Sequence, residues 1–287
     1  MSYKSASLQP HVLRIVQDKG TEHPFSGEYD ASDSPGTYLC RQCGLALFRS
    51  QSKFHSGCGW PSFDLNVPNA VKQEVDQDGR RTEILCNRCG AHLGHVFHGE
   101  RMTSLNTRHC VNSLSLDFVA DLQVEDTQEL IVGAGCFWGV EYWFNKCPGV
   151  LKAQVGYCGG KTTYPTYEDV CRGNTGHIEV IRVVFDPKIV SLEKIIKFFF
   201  EIHDPTQTNG QGPDIGEQYL SVLFYDDENQ KEMAKKVIDL LEQKGEKVAT
   251  KVLPVTTFWP AEDYHQGYYG KTGKMPYCHT YEKKFVD

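Results

Sequence analysis

Long apolar runs are missing from this 287-residue chain: no stretch approaches the roughly 20 residues needed to span a bilayer. A basic surplus is missing too. The formal net charge is −7 at pH 7, which offers no electrostatic footprint for nucleic acid or for an anionic membrane. Met1 to Val16 mixes Lys4, His11 and Arg14 with polar residues and lacks the apolar centre of a signal peptide. The two halves share no internal repeat. Nor is the cysteine count even: eleven argues against a purely structural disulfide framework. Together these absences lead us to expect a cytoplasmic protein that engages neither membrane nor nucleic acid. In a reducing compartment, clustered cysteines more often bind metal or do chemistry.

What remains is an ordinary globular composition, 40% hydrophobic and 23% charged, with room for two domains. The first hundred or so residues are rich in Gly, Cys and short apolar runs, and helical periodicity is scarce there. Thr82–Leu85 and Ser113–Val119 read as strands, the second because Leu114, Leu116 and Phe118 alternate with Ser113, Ser115 and Asp117. This half reads as mostly antiparallel β, residues 1–121, followed by a polar linker at 122–128. From 129 to 287 the character changes. Leu130–Val132 is a strand, Cys136 opens a helix running from Phe137 to Cys147, Ser191 caps a second helix, and Asp226 or Asp227 starts a third that Gly245 stops. Strands at Ile178–Phe185 and Tyr219–Phe224 lie between, so this half is expected to be α/β, in two layers.

Cys40-Arg41-Gln42-Cys43-Gly44 and Cys86-Asn87-Arg88-Cys89-Gly90 are two knuckles of one design. Each Cys-x-x-Cys turn aims both thiolates at one point, and the glycine after it accepts the backbone geometry the turn needs. Two such turns supply Cys40, Cys43, Cys86 and Cys89 to a closed tetrahedral Zn²⁺ site, structural because no coordination position stays open. A redox Cys-x-x-Cys is the rival, but it normally occurs once, at a helix start. A zinc ribbon that binds nucleic acid is disfavoured by the acidic balance.

Two cysteines of the first half are then left, Cys58 and Cys110, with His92, His95 and His109. Arg108-His109-Cys110 places cations beside a thiol just ahead of the alternating strand, and neighbouring positive charge raises the thiolate fraction. His92 and His95 follow a knuckle that fixes their position and could serve that thiol as an acid/base pair; singly, each would be a surface or hydrogen-bonded core residue. Cys58 sits between glycines on a loop, with Trp60 and Phe63 able to wall an apolar pocket or to be plain core.

Cys-Gly-Trp-Pro-Ser-Phe, His-Leu-Gly-His-Val-Phe and Arg-His-Cys-Val-Asn-Ser, with the two knuckles, resemble type B peptide methionine sulfoxide reductase over roughly residues 5 to 120. The resemblance implies that Cys110 attacks the sulfoxide sulfur and Cys58 resolves the sulfenic acid. It implies that His95, with His92, protonates or orients the sulfoxide oxygen, that Arg108 and Asn112 hold the site, and that Trp60 meets the substrate methyl. The implied fold is a β-rich, zinc-braced pair of sheets.

In the second half, Gly133-Ala134-Gly135-Cys136 sets a cysteine where a strand ends and a helix begins, where free N–H groups and the helix dipole stabilise a thiolate. A buried structural cysteine is the alternative. Glu179 falls on the same strand face as Ile181, Val183 and Phe185; there burial would raise its pKa and make it an acid near neutral pH, unless it lies on a wet edge strand.

Gly-Cys-Phe-Trp-Gly, Tyr-Glu-Asp-Val-Cys-Arg-Gly-Asn-Thr-Gly-His-Ile-Glu-Val and Gln-Gly-Pro-Asp-Ile-Gly-Glu-Gln-Tyr resemble type A peptide methionine sulfoxide reductase over about residues 128 to 287. That resemblance implies a ferredoxin-like core, Cys136 as nucleophile and Glu179 as the acid. Tyr167, Asp214 and Tyr219 are then expected at the sulfoxide oxygen, and Phe137 and Trp138 at its methyl. Cys278 in a polar, mobile tail becomes the resolver. Cys147, Cys158 and Cys171 are expected to be ordinary buried thiols.

A thiolate can displace sulfoxide oxygen only if an acid protonates it, and the resulting sulfenic acid condenses with a second thiol. An external dithiol, thioredoxin in these families, must reduce that disulfide; no organic cofactor is needed. A sulfoxide is chiral, which explains two unlike sites; by resemblance the first half takes the R epimer and the second the S. A thiol peroxidase or disulfide oxidoreductase would instead consume peroxide without needing Trp60 or Trp138. A zinc-braced redox sensor would need the knuckles but tolerate loss of Glu179 and His95.

Overall fold

The structure, a computed structural model, describes residues 7–76 and 79–285. These fall into two compact units that meet in sequence between Thr127 and Gln128. Among the described residues no helix is long and apolar enough to cross a membrane.

The first unit opens with α1 (Pro10–Val16), a helix that the sparse periodicity concealed; Pro10 pre-sets its first turn, and Val12, Ile15 and Val16 are its buried face. Strands β1 (Thr37–Cys40), β2 (Ala46–Arg49), β3 (Lys53–Phe54), β4 (Ser62–Phe63), β5 (Val71–Val75), β6 (Thr82–Cys86), β7 (His92–His98), β8 (Thr107–Val111) and β9 (Leu116–Val119) follow. They build a three-stranded sheet, β2-β1-β9, and a six-stranded one, β3-β4-β8-β7-β6-β5. Every pairing is antiparallel. Tyr38, Phe48 and Phe63 pack at the centre, with Phe48 and Phe63 stacked at 4.4 Å.

Two expectations change here. Ser113–Ser115 is a 3-10 turn, and the strand begins only at Leu116. The polar residues of the apparent alternation are buried along with Leu116: Ser113 accepts from the Tyr29 amide, and Ser115 donates to the His92 carbonyl. And Cys110 lies inside β8, not ahead of a strand.

The second unit contains β10 (Gln128–Ala134), α2 (Phe137–Phe144), β11 (Val150–Cys158), α3 (Tyr167–Cys171), β12 (Ile178–Phe185) and α4 (Leu192–Glu201). A hairpin, β13 (Gly210–Gln211) with β14 (Asp214–Ile215), precedes β15 (Ser221–Tyr225), α5 (Glu228–Glu242), β16 (Lys251–Pro254), β17 (Trp259–Pro260) and α6 (Tyr268–Thr272). The sheet runs β16-β15-β10-β12-β11-β17 and is antiparallel except between β15 and β16. α2 leads from β10 to β11 and α4 from β12 towards β15, strands that are not neighbours, and an antiparallel partner fills each gap; α5 joins the parallel pair.

The helices are capped as their sequences require: Ser191 accepts from the Lys194 amide at 3.3 Å and Asp227 from the Gln230 amide at 2.8 Å. α2 stops at Phe144, leaving Cys147 in the turn beyond it. One sheet face packs on a core with Phe137, Phe144, Ile196 and Phe199; the other holds Ile131, Val180, Val222 and Phe224. β12 is central and all eight of its residues are buried. Glu179 shares the helix-facing parity of Ile181, Val183 and Phe185, so the wet-edge alternative falls away.

Candidate active sites

The knuckles of the first unit are near copies. The Gly44 amide donates to the Cys40 carbonyl at 2.8 Å and the Gly90 amide to the Cys86 carbonyl at 2.9 Å, both glycines at φ 75°. This left-handed turn is one that a residue with a Cβ resists. Cys40 and Cys89 sulfurs lie 3.6 Å apart, as do those of Cys43 and Cys86, and all four fall within 4.8 Å of one another. Tetrahedral ligands about 2.3 Å from a zinc ion would stand about 3.8 Å apart, so the cluster fits a four-thiolate metal.

A cavity of about 120 Å³ is lined by Cys110, His95, Trp60, Asn112, Phe97 and Gly94 among others. Hairpin pairing of β7 with β8 sets His95 directly opposite Cys110. His95 Nε2 is 2.9 Å from Asp76 Oδ2. Trp60 donates its indole N–H to the Glu22 carbonyl at 3.2 Å, and Asn112 Oδ1 accepts from the Glu22 amide at 3.0 Å. The buried Glu22 carboxylate in turn accepts from the amides of Ser113 and Leu114 at 2.5 and 3.1 Å. So Glu22, which sequence reasoning missed, knits both residues to the pocket wall; nothing nearby in sequence marks it, because its partners lie 38 to 92 positions away.

Three residues lie off the pocket wall. His92 lies behind it, with Nδ1 2.7 Å from Glu83 and burial lowering its pKa. Arg108 grips Glu100 through two hydrogen bonds of 2.7 and 2.8 Å and lies over the Phe97 ring at 4.4 Å. His109 is not a cation beside the thiol: strand alternation turns it to the opposite face, where burial lowers its pKa.

Cys58 meets Cys110 at 3.7 Å, and the Ser56 hydroxyl donates to Cys58 at 3.0 Å. The expected lowering of the Cys110 thiol by Arg108 is overridden in this resting pair. The Cys58 hydrogen bond and then burial push Cys110 up, while the same bond, with Ser56 and Ser62, pulls Cys58 down to about 4. The two sulfurs share one proton.

In the second unit Cys136 caps α2. Hydrogen bonding from Cys278, then from the Trp138 and Gly139 amides, lowers its pKa against the effect of burial. Glu179, 1% exposed, accepts from the Phe137 amide at 3.1 Å with Oε2, and its Oε1 has no protein partner among the described residues. Burial, then the Cys136 thiolate, holds this carboxyl well above the usual range. Burial and the Glu179 charge likewise push up the phenols of Tyr167 and Tyr219. Asp214 stands within 4.8 Å of both the Cys136 and Cys278 sulfurs and accepts from the Tyr277 hydroxyl at 3.2 Å.

Phe137 and Trp138 begin an aromatic group in which Trp138 stacks on Tyr268 at 3.9 Å and donates to His265 Nδ1 at 3.1 Å. Glu262 fixes this wall by accepting from the Tyr157 hydroxyl at 3.1 Å and the Tyr167 amide at 2.9 Å. His265 and Glu262 were not anticipated; they come from the loop between β17 and α6, which carries no periodic pattern.

The tail is not loose. Cys278 is buried against Cys136. Cys147 and Cys158 are buried as expected, whereas Cys171 is exposed because α3 is a single surface turn.

A family model described as peptide methionine sulfoxide reductase matches residues 128–287, and one described as SelR domain matches residues 8–120. The peptide methionine sulfoxide reductase MsrA of Sulfolobus acidocaldarius is 47% identical over 148 residues, 51% of this chain and 84% of that protein. That of Pelagibacter ubique is 52% identical over 142 residues, 49% of this chain and 97% of that one. The crystal structure of Mxr1 from Saccharomyces cerevisiae in reduced form is 36% identical, with a TM-score of 0.51, covering 54% of this chain and 92% of that one.

Proposed function

The chain belongs to the peptide methionine sulfoxide reductase family, with a SelR domain preceding the reductase domain of that name, and from this premise we propose that its two units reduce opposite epimers of methionine sulfoxide. The observation that carries the proposal is the pair of juxtaposed thiols in each unit, Cys110 with Cys58 and Cys136 with Cys278, each beside a proton donor.

In the second unit, Cys136 attacks the sulfoxide sulfur. Glu179, protonated by virtue of its burial, gives its proton to the departing oxygen, with Tyr167, Tyr219 and Asp214 around that oxygen. The S–O bond passes from substrate to enzyme: methionine leaves and Cys136 becomes a sulfenic acid. Cys278 then attacks, a disulfide forms, and water departs. Phe137 and Trp138 hold the methyl group. The β10-α2-β11-β12-α4-β15 order, with strands arranged β15-β10-β12-β11, supports a ferredoxin-like reading of this core.

In the first unit Cys110 attacks after passing its proton to Cys58, which lies in contact with it. His95, set against Cys110 across the pocket, protonates the oxygen, and Trp60 receives the methyl. His92, Arg108 and Asn112 act by holding β7 and β8 in place. Cys58 then closes the disulfide. The four knuckle thiolates hold a structural Zn²⁺, which braces the fold and takes no part in the reaction. A dithiol protein such as thioredoxin reopens both disulfides.

The test is an assay on separated epimers. Cys110→Ser should abolish reduction of the R sulfoxide and spare the S; Cys136→Ser should do the reverse. Retention of both activities in either variant would end the two-site reading.

A further inference from the structure

Cys278 has a neighbour that the reaction as written leaves idle. His279 is 4% exposed and its ring is clamped on both sides. Its Nε2 lies 2.6 Å from the Ala134 carbonyl, and its Nδ1 lies 3.1 Å from Cys278 Sγ. A carbonyl can only accept, so Nε2 carries the hydrogen. A neutral imidazole has one N–H, which leaves Nδ1 bare and aimed at the thiol. Burial keeps the ring neutral by lowering its pKa to about 4.

The ring's seat is built into α2. A Cβ at position 139 would collide with the His279 imidazole, so the glycine in the first turn after Cys136 is the space the histidine occupies. Strand β10 supplies the carbonyl, α2 the gap and the tail the ring. Three elements converge to hold one acceptor nitrogen against one sulfur.

We infer that His279 is the base that deprotonates Cys278 for disulfide formation. The inference rests on the reading of Cys278 as the partner of Cys136. In the resting pair the contact between the two sulfurs lowers the pKa of the Cys136 thiol and raises that of Cys278. Once Cys136 is a sulfenic acid, Cys278 must become the nucleophile, and the thiolate rather than the thiol attacks. His279 Nδ1 takes the proton, and Sγ of Cys278 bonds to Sγ of Cys136 as the S–O bond breaks. The oxygen departs as water, its second hydrogen being the proton that His279 hands on. The Nε2–H bond to Ala134 persists throughout, so the imidazolium is stabilised as it forms.

A single-turnover experiment tests this on the full-length chain with Cys110→Ser, using one equivalent of the S sulfoxide of N-acetylmethionine. Methionine release, dimedone-trapped sulfenic acid and the Cys136–Cys278 disulfide are followed separately by mass spectrometry. His279→Gln should release methionine at the parent rate, form the disulfide at least tenfold more slowly and accumulate sulfenic acid. His279→Ala should behave alike and recover with added imidazole, which has a route through the cleft of about 650 Å³ beside Cys278. Parent-rate disulfide formation in either variant, or slowing that imidazole does not relieve, overturns the inference. Cys278→Ser separates the two claims. If Cys136 still pairs promptly with another cysteine, the resolver reading fails; if pairing stops there yet proceeds normally in His279→Gln, only the role of His279 fails.

Discussion

Glu179 is a carboxyl placed where ionisation is costly. Among the described residues its only hydrogen bond is from the Phe137 amide, the surrounding face is apolar, and the Cys136 sulfur lies nearby. The native state therefore binds its proton more tightly than the unfolded chain does. From the ordinary value of 4.5 upward, the unfolded state has released a proton that the native state still holds. Stability consequently falls as pH rises through that window, by up to about 1.4 kcal/mol per pH unit, until the raised native pKa is passed. Glu179→Gln keeps the acceptor for the Phe137 amide and removes the titration. Amide exchange of β12 should show wild type losing protection relative to the variant from about pH 5 upward, with the variant flat. The same substitution should lower second-site turnover by about 10²- to 10⁴-fold, the usual contribution of a general acid. Parallel exchange profiles would show that the carboxylate is solvated after all.

That residue was legible because one fact sufficed: a charge among residues of one strand parity. The same holds for the knuckles, where spacing alone encodes the geometry. Glu22, His265, Glu262 and His279 were not legible, since each is seated by residues far along the chain. The influence of Cys58 on the Cys110 thiol was missed for a related reason. Sequence puts Arg108 two positions from Cys110, but the loop before β4 brings a second thiol to 3.7 Å, and it outweighs the arginine.

At the scale of elements, strands and helices with a strong pattern and a cap were readable: β12, α4 with Ser191 and α5 with Asp227. Short segments were not. α1 is too brief for its period to stand out, and at Ser113–Ser115 serines buried by hydrogen bonds to Tyr29 and His92 stand where a strand would show its polar face. The tail is the instructive case, since polar composition suggested mobility. In the folded chain Glu201, at the end of α4, accepts from the amides of Lys284 and Phe285 at 3.1 and 3.2 Å and from the Tyr281 hydroxyl at 3.1 Å. These bonds hold residues just beyond Cys278, so α4 helps set where the thiol stands. Glu201→Ala leaves the first chemical step alone but frees the tail. Methionine release in one turnover should be unchanged, and formation of the Cys136–Cys278 disulfide should slow several-fold. An unchanged disulfide rate would mean that the His279 clamp alone positions Cys278.

For the molecule as a whole, the two units have separate apolar cores, one around Tyr38, Phe48 and Phe63 and the other around Phe137, Phe144 and Phe199. Only the first contains the four-cysteine cluster. Its ligands sit at strand ends in different sheets, Cys40 closing β1 of the small sheet and Cys86 closing β6 of the large one. A metal there ties sheet to sheet. Structural zinc contributes on the order of 10–16 kcal/mol in small sites, comparable with the 5–15 kcal/mol that stabilises a whole domain. Removing it should therefore unfold the first unit and no more. Metal analysis should find one zinc per chain in wild type and none in Cys86→Ser. That variant should lose reduction of the R sulfoxide while keeping the S activity and the amide protection of β10 and β12. Metal-free protein that still reduces the R epimer at the wild-type rate would show that the sheets hold together without their clasp. Joint loss of both activities would show that the second unit depends on the first, against the separate cores from which this expectation follows.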